Sequence, residues 1–280
     1  MTAPNVLVIK CGGSTATEPA ALCSDVAGFV ADGQPVIIVH GGSSDIERLA
    51  TQLRVPMRRL ISPDGLSARY TDAATLEVVT LALAGAVQPR LVAALQAAGV
   101  PAAGLTGLDG ALLRARRRQT QRTMVRGRQM VVRGDLSGRI TTVNTGLLQC
   151  LLGAGIVPVI CPPALAEDGT PVNADSDRVA AAVAGAVPTA SLVLLTGAPG
   201  VLADPADSSS VLPSCTMPRH GPPPQLGGGI GVKLIAAREA LTAGVPEVFI
   251  ADGRAARPVH RALAGHGTKV LLAPPAEAVA

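Results

Sequence analysis

Lysine is nearly absent from this chain, and two of the three that remain stand beside glycine. Of 24 basic residues 21 are arginine, and the lysines are Lys10, Lys233 and Lys269. Lys10 precedes Cys-Gly-Gly, and Lys233 follows GGGIGV (227–232). An ammonium is a compact point charge whereas a guanidinium is a broad planar fork, so lysine kept at two glycine turns fits a site where a small cation meets an anion. Four short runs carry the polar and glycine residues such a site needs: IKCGGS (9–14), VHGGSS (39–44), VNADSD (172–177) and LTGAPGV (195–201). Paired glycines let backbone N–H groups approach an anion and start a helix whose positive end faces it. Two such loops suit a ligand with several phosphates, although a tight strand-to-helix turn uses the same residues. None of the runs is a GxxxxGK[ST] or GxGxxG loop. Lys269 has no motif around it and reads as a surface residue, and His40 reads as strand-end packing rather than as a base.

The elements that must position these runs follow from periodicity. VLVIK, PVIIVH, IVPVIC, SLVLLT and EVFIA are short apolar runs of the buried-strand kind. Helical spacing covers 18–33, then a segment from Ser43 to about Leu53 with Ser43 and Ser44 as caps, and then two helices over 72–86 and 88–98. A loop is expected around 62–65. Residues 111–143 alternate apolar and polar, with Arg126-Gly127 as a hairpin turn, so the arginine-rich run 114–133 reads as a projecting hairpin. Further helices are expected from Asn144 to Gly155, over 175–186 and over 231–243, and a last helix and strand within 256–272. The Pro/Ser-rich stretch 204–229 has the length of a mobile active-site flap. Alternating strands and helices predict a mostly parallel sheet covered on both faces, with the four loops on one rim.

Composition narrows the function classes. At 280 residues the chain suits one large α/β domain, and with three aromatic residues its core must be built from Ala, Val, Leu and Ile. No apolar run reaches the roughly 20 residues of a membrane span, and no secretory signal is evident. Five scattered cysteines give no zinc or redox spacing and fit reduced thiols in a cytoplasm. The net charge is +4, and 4 − 8 = −4 remains once the eight arginines of 114–133 are set aside. One basic patch on a mildly acidic protein suggests a localised partner, and the lack of aromatics argues against specific nucleic-acid binding.

The order of IKCGGS, VHGGSS, ARYTD (68–72), GLTGLDG (104–110), RGDLSGRI (133–140), PVICPPAL (158–165), VNAD, LTGAPGV and GGGIGVKLIAA (227–237) resembles the amino acid kinase family along nearly the whole chain. Within it the likeness is to the N-acetylglutamate kinase branch, and more closely to kinases of aminoadipate or glutamate attached to a small amino-group carrier protein. The resemblance implies a three-layer αβα sandwich around an open, mainly parallel sheet of about eight strands. It implies a single domain over 1–280, with roughly 1–170 binding the acyl acceptor and roughly 171–280 binding ATP. The implied reaction moves the γ-phosphoryl group of ATP to a side-chain carboxylate, giving an acyl phosphate. That nucleophile is already an anion, so the task is to align two negative groups and offset their charge.

Carried over by motif, Lys10 lies between phosphates and carboxylate, Lys233 approaches from the nucleotide side, and Asp175 hydrogen-bonds both lysines, with helix capping as its competing role. Gly12 and Gly13 cradle phosphates, and Thr196, Gly197 and Gly200 line the nucleotide pocket. Gly41, Gly42 and Ser43 hold the reacting carboxylate, Arg69 clamps a substrate carboxylate, and Asn173 donates to the amide region. ATP and Mg²⁺ are the implied cofactors, the ion riding on the phosphates with few direct protein ligands. Arg114, Arg116, Arg117, Arg118, Arg122, Arg126 and Arg128 would dock the small, acidic carrier. The resemblance also implies a cytoplasmic homodimer, with no membrane and no specific nucleic-acid partner. Ser43, where N-acetylglutamate kinases have a third glycine, and Pro171, where many have asparagine, count against a free acetylated substrate. A kinase of free N-acetyl-L-glutamate and a non-catalytic nucleotide or amino-acid sensor are the rival readings.

Overall fold

The computed structural model describes residues 5–12, 19–62, 65–118, 120–125, 128–224 and 229–274. The first apolar runs form strands Val6–Cys11 (β1) and Val36–His40 (β2), buried along their whole length. Helices Pro19–Ala31 (α1) and Ser43–Leu53 (α2) follow them. Ser43 is the first helical residue rather than a cap: Gly42 holds the cap position and no side chain bonds there. Around the expected loop stands an antiparallel hairpin, Arg58–Ile61 (β3) with Ser67–Tyr70 (β4). Both strands are short and arginine-rich, and so too polar for an apolar-run criterion.

The two helices expected over 72–86 and 88–98 are one. Ala73–Thr80 (α3) runs through a π-helical segment, Leu81–Val87, into Gln88–Ala97 (α4). Pro89 removes one backbone donor, and the wider π turn ahead of it absorbs the misfit without ending the helix. The result is a 25-residue helix holding an 18-residue window of mean hydropathy 1.7, long and apolar enough by length and composition to cross a membrane. Leu76, Val78, Val79, Leu83, Leu91 and Leu95 bury one side of it against the fold.

Next come Ala102–Gly107 (β5), Leu113–Arg117 (β6), Thr120–Val125 (β7), Arg128–Arg133 (β8) and Gly138–Val143 (β9). The arginine-rich run is therefore divided. β7 and β8 pair with each other as a separate hairpin, while Arg114, Arg116 and Arg117 lie on β6 within the main sheet, paired with β9 and β10. Thr145–Gly153 (α5), Val157–Ala166 (β10), Pro171–Val172 (β11), Ser176–Ala186 (α6) and Thr189–Thr196 (β12) continue the chain. The expected flap contains strand Ser214–Met217 (β13), whose exposed–buried alternation was hidden by the surrounding prolines and serines. Ile230–Thr242 (α7), Glu247–Asp252 (β14), Pro258–Leu263 (α8) and Thr268–Leu272 (β15) complete the described chain.

The main sheet has eleven strands in the order β13-β15-β14-β12-β1-β2-β10-β6-β9, with β5 and β11 also on β10. The excess over the expected eight comes from short pieces such as β11 and β13. Pairing is parallel except at β10–β11, β14–β15 and β6–β9. Val8, Val39, Leu194 and residues of α6 and α7 form the core on one face. Ile9, Ile38, Val193 and residues of α1, α4 and α8 form it on the other. The fold is thus an αβα sandwich around a mostly parallel sheet.

Candidate active site

β1 lies between β12 and β2, and the chain leaves it for β2 on one side and reaches β12 on the other only much later. A parallel sheet has its crevice at such a point, beyond the carboxyl ends of the strands. Lys10 stands there, level with Val39 and Leu194. Alternation turns it, with Val6 and Val8, towards the layer of α6 and α7.

On that side two lysines from distant parts of the chain meet one carboxylate. Lys10 Nζ lies 2.7 Å from Asp177 Oδ1. Lys233 Nζ, from the first turn of α7, donates to Oδ1 and Oδ2 of the same residue at 2.9 and 3.0 Å. Asp175, expected to bind both lysines, caps α6 instead: its Oδ1 accepts from the N–H groups of Asp177 at 3.0 Å and Arg178 at 3.1 Å. A cap carboxylate folds onto the first-turn N–H groups, whereas the residue two places later is free to face the crevice.

Burial works against every charge in this cluster, and the partners decide the outcome. Burial would depress the Lys10 ammonium, but Asp177 holds it above its ordinary value. For Lys233, burial and the neighbouring Lys10 charge prevail and the ammonium is pulled down. Burial would raise Asp177, yet the two lysines bring it down to about 2, so it is an anion at any working pH. Asp175 keeps a solvent-facing edge, but the crowded cleft and the Asp177 charge push its carboxyl up.

The motifs expected on the acceptor side also converge. Arg69 Nη1 lies 2.9 Å from Glu47 Oε1, which brings ARYTD against α2, the helix that leaves the second glycine loop. The geometry is poor for a hydrogen bond, and Nη1 has no aligned partner among the described residues. Two residues on, Thr71 is fully buried, and its N–H donates to Asp135 Oδ1 at 2.8 Å. Ser137 Oγ donates to the other oxygen of Asp135. Asn173 Nδ2 donates to Thr71 Oγ1 at 3.2 Å, and Gly138 N–H to the Asn173 carbonyl at 2.8 Å. ARYTD, RGDLSGRI and VNAD are therefore one polar knot.

Gly41 donates its N–H to the Cys11 carbonyl at 3.3 Å, so of the three expected donors it is already engaged. Gly42 is required for space, because a Cβ there would come within 2.6 Å of Leu83 Cδ2. Ser43 is exposed at the start of α2. His40, 1 % exposed, sets Nδ1 at 3.1 Å from the Gly41 carbonyl, while Nε2 has no partner among the described residues.

Of the residues expected on the nucleotide side, Gly12 follows β1, and Gly13 lies outside the described residues. Thr196 ends β12, its carbonyl accepting from Gly253 N–H at 2.8 Å, and Gly197 follows it. Gly200 is packed so that a Cβ would lie 2.8 Å from Thr268 Oγ1. A cavity lined by Pro199, Asp252, Arg261 and His266 opens beside this loop and includes neither lysine. Lys269 stands apart, half-exposed and paired with Glu247 at 2.6 Å. Of the basic run, Arg116 reaches Glu167 at 3.4 Å and Arg117 Nε the Asp135 carbonyl at 3.4 Å. Arg126 and the side chains of Arg122 and Arg128 lie outside the described residues.

Asp177, Thr71, Asp135, Ser137 and Glu47 were not singled out from sequence. The first four stand inside or beside quoted motifs, so the signal was present without a geometry to rank them.

Residues 5–252 match the amino acid kinase family model. The chain is 39% identical over 269 residues to a [LysW]-aminoadipate kinase of Deinococcus radiodurans, covering 95% of this chain and 91% of the relative. It is 38% identical over 257 residues to an acetylglutamate kinase of Symbiobacterium thermophilum, covering 89% and 84%. A Giardia carbamate kinase structure shares the fold at 15% identity, with a TM-score of 0.63 over 97% of this chain and all of that one. With its glycine loops, polar knot and paired lysines on one rim, the chain belongs to the amino acid kinase family.

Proposed function

We propose that the protein uses ATP to phosphorylate the side-chain carboxylate of L-2-aminoadipate or L-glutamate carried on a small amino-group carrier protein. One observation carries the chemistry: two lysine ammonium groups, from the two halves of the chain, stand together at the crevice between the glycine loops. An ammonium has three donors. Lys10 spends one on Asp177 and Lys233 spends two, which leaves donors for the equatorial oxygens of the transferring group. The carrier-bound acceptor is supported by the relative named as a [LysW]-aminoadipate kinase.

In this reading residues of roughly 1–170 hold the acceptor and those of roughly 171–280 hold ATP. Arg69 clamps the acceptor's other carboxylate, displacing the loosely aligned Glu47, while Asn173 faces its amide region. The free N–H groups of Gly42 and Ser43 hold the reacting carboxylate. Gly12, Gly13, Thr196, Gly197 and Gly200 shape the nucleotide pocket. The residues present fit a nucleotide, since glycine loops and cations face the crevice. A Mg²⁺ ion would be held chiefly through the phosphates, where it would offset their charge. The enzyme is proposed to act as a cytoplasmic homodimer in amino-acid biosynthesis. Leu81, 47 % exposed on the long apolar helix, is suited to a subunit contact.

A kinase of free N-acetyl-L-glutamate is the second reading, favoured by the identity to an acetylglutamate kinase. ADP release decides between them when the enzyme and ATP meet aminoadipyl-carrier, glutamyl-carrier or free N-acetylglutamate. Turnover of a carrier-bound acceptor, with little on the free one, is expected. Turnover of the free amino acid alone would overturn the proposal.

A further inference from the structure

We infer that Thr268 is a positioning residue for the nucleotide, its hydroxyl fixing the loop of residues 197–200 that leaves β12. The inference rests on the phosphotransfer reading, which puts ATP at that loop, and adds to it a residue outside every motif. Residues 197–200 have no hydrogen bond of their own among the described residues, so the loop is held by its two ends. At the first end the Thr196 carbonyl accepts from Gly253 N–H at 2.8 Å. At the second, Val201 N–H donates to Thr268 Oγ1 at 2.9 Å. The same hydroxyl donates to the Leu212 carbonyl at 2.6 Å, and Leu212 N–H donates to the Val201 carbonyl at 2.8 Å. Residues 201, 212 and 268 thus close one ring of hydrogen bonds, with Thr268 as its only side chain.

A hydroxyl suits this place because it accepts and donates at once. Thr268 is fully buried, so no water stands ready to replace either bond. Its branched Cβ restricts the rotamer, and the backbone that carries it is equally set. Gly267 holds φ at +137°, and a Cβ there would lie 2.7 Å from the Ile250 carbonyl, so glycine lets β15 start this close to β14. Contact adds to bonding. Gly200 lies against the hydroxyl so tightly that a Cβ would come within 2.8 Å of Oγ1 and 2.9 Å of Val211 Cγ1. Pro199, one residue earlier, lines a cavity of about 400 Å³, so the loop is not packed all round. A loop fixed in advance receives a ligand at little cost in ordering, whereas a released one must be ordered by each nucleotide that binds.

The test is calorimetric titration of the whole protein with Mg²⁺ and adenylyl imidodiphosphate, a non-hydrolysable ATP analogue, with no acceptor present. Thr268→Val keeps the shape and removes the hydroxyl. Its Kd for the analogue should rise about tenfold, a size set by leaving a buried donor and acceptor unmet. KM for ATP should rise in step, while acceptor KM and kcat at saturation stay within about threefold, as when binding shared by ground and transition states is lost. Thr268→Ser retains both bonds and should bring Kd back to within about threefold of the parent. Thr268→Val should also lose stability in urea. A role in folding alone would show that loss with Kd unchanged under conditions where the variant is fully folded, and this result would overturn the inference.

If Thr268→Val does not fold, Gly200→Ala carries the test. Gly200 is not in the left-handed region, so its added methyl acts by crowding Thr268 Oγ1 and Val211. Its Kd should rise about fivefold or more, and an unchanged Kd would overturn the inference. The titration needs no acceptor, so failure of the carrier-bound reading leaves it intact. A parent protein that does not bind the analogue would overturn the phosphotransfer reading and this inference with it. A parent that binds it no better than Thr268→Val would overturn this inference alone.

Discussion

At the scale of single residues the fold buries charge where several groups share it, as at Lys10, Lys233 and Asp177. His40 has no such company: its Nε2 has no partner among the described residues. Burial, assisted by the Lys10 charge, lowers it from 6.5 to about 4, so the folded protein holds it neutral. The unfolded chain takes up a proton near its ordinary value while the folded chain does not. Stability from this residue is therefore intact above about pH 6.5 and declines as pH falls towards 4, by about 3 kcal/mol in all. Urea unfolding at pH 7.5 and 4.5 should show that decline in the parent protein and a smaller one in His40→Gln. Equal declines would place the acid sensitivity elsewhere. Lysine scarcity made Lys10 and Lys233 legible in the sequence. It gave no means of choosing between Asp175 and Asp177, because both are aspartates at the start of one helix. Only the entry angle of that helix decides which carboxylate turns inward.

At the scale of elements, the π-helical segment explains how the second glycine loop is shaped. Leu83 and Val87 project against Gly42, leaving no room for a methyl group. Gly42→Ala would place its Cβ 2.6 Å from Leu83 Cδ2 and 3.0 Å from Val87 Cγ2. Overpacking of this kind costs typically 1–3 kcal/mol. The expected outcome is a loss of that size in chemical denaturation, with acceptor KM raised as the loop shifts and ATP KM changed less. A variant of full stability and unchanged acceptor KM would show that the contact relaxes freely. Strands and most helices were legible from apolar runs and 3.6-residue spacing. The π turn was not, because Gln-Pro reads locally as a break and only the packing partner shows that the helix continues. β3, β4 and β13 escaped for the related reason that composition masked their period.

At the scale of the whole molecule, charge and topology divide the labour. The basic run was legible as a patch, but not as a strand of the main sheet followed by a separate hairpin. β7 and β8 lean on β3 through Thr123, which exchanges two bonds with Ile61 at 3.1 Å. The hairpin also exposes Met130 and Val131. Arg117 is tied to the polar knot through Asp135, so carrier docking is better probed at Arg114 and Arg116. Their joint reversal to glutamate should raise KM for a carrier-bound acceptor several-fold and flatten its dependence on salt, since rim charges act mainly on encounter. Turnover at saturating acceptor should hold. An unchanged KM and salt slope would place docking on another face.

The chain also closes on itself in time as well as in space. Asp25, buried in α1, accepts from the N–H of Val259 at 2.7 Å and of His260 at 3.1 Å, and from the His260 ring, which stacks on Phe29. More than two hundred residues separate these partners. Synthesis delivers α1 long before α8, so the carboxylate that ends up buried against Val259 and His260 waits for these partners while the residues between are made. The contact of α1 with α8 is therefore among the later ones that the nascent kinase can form.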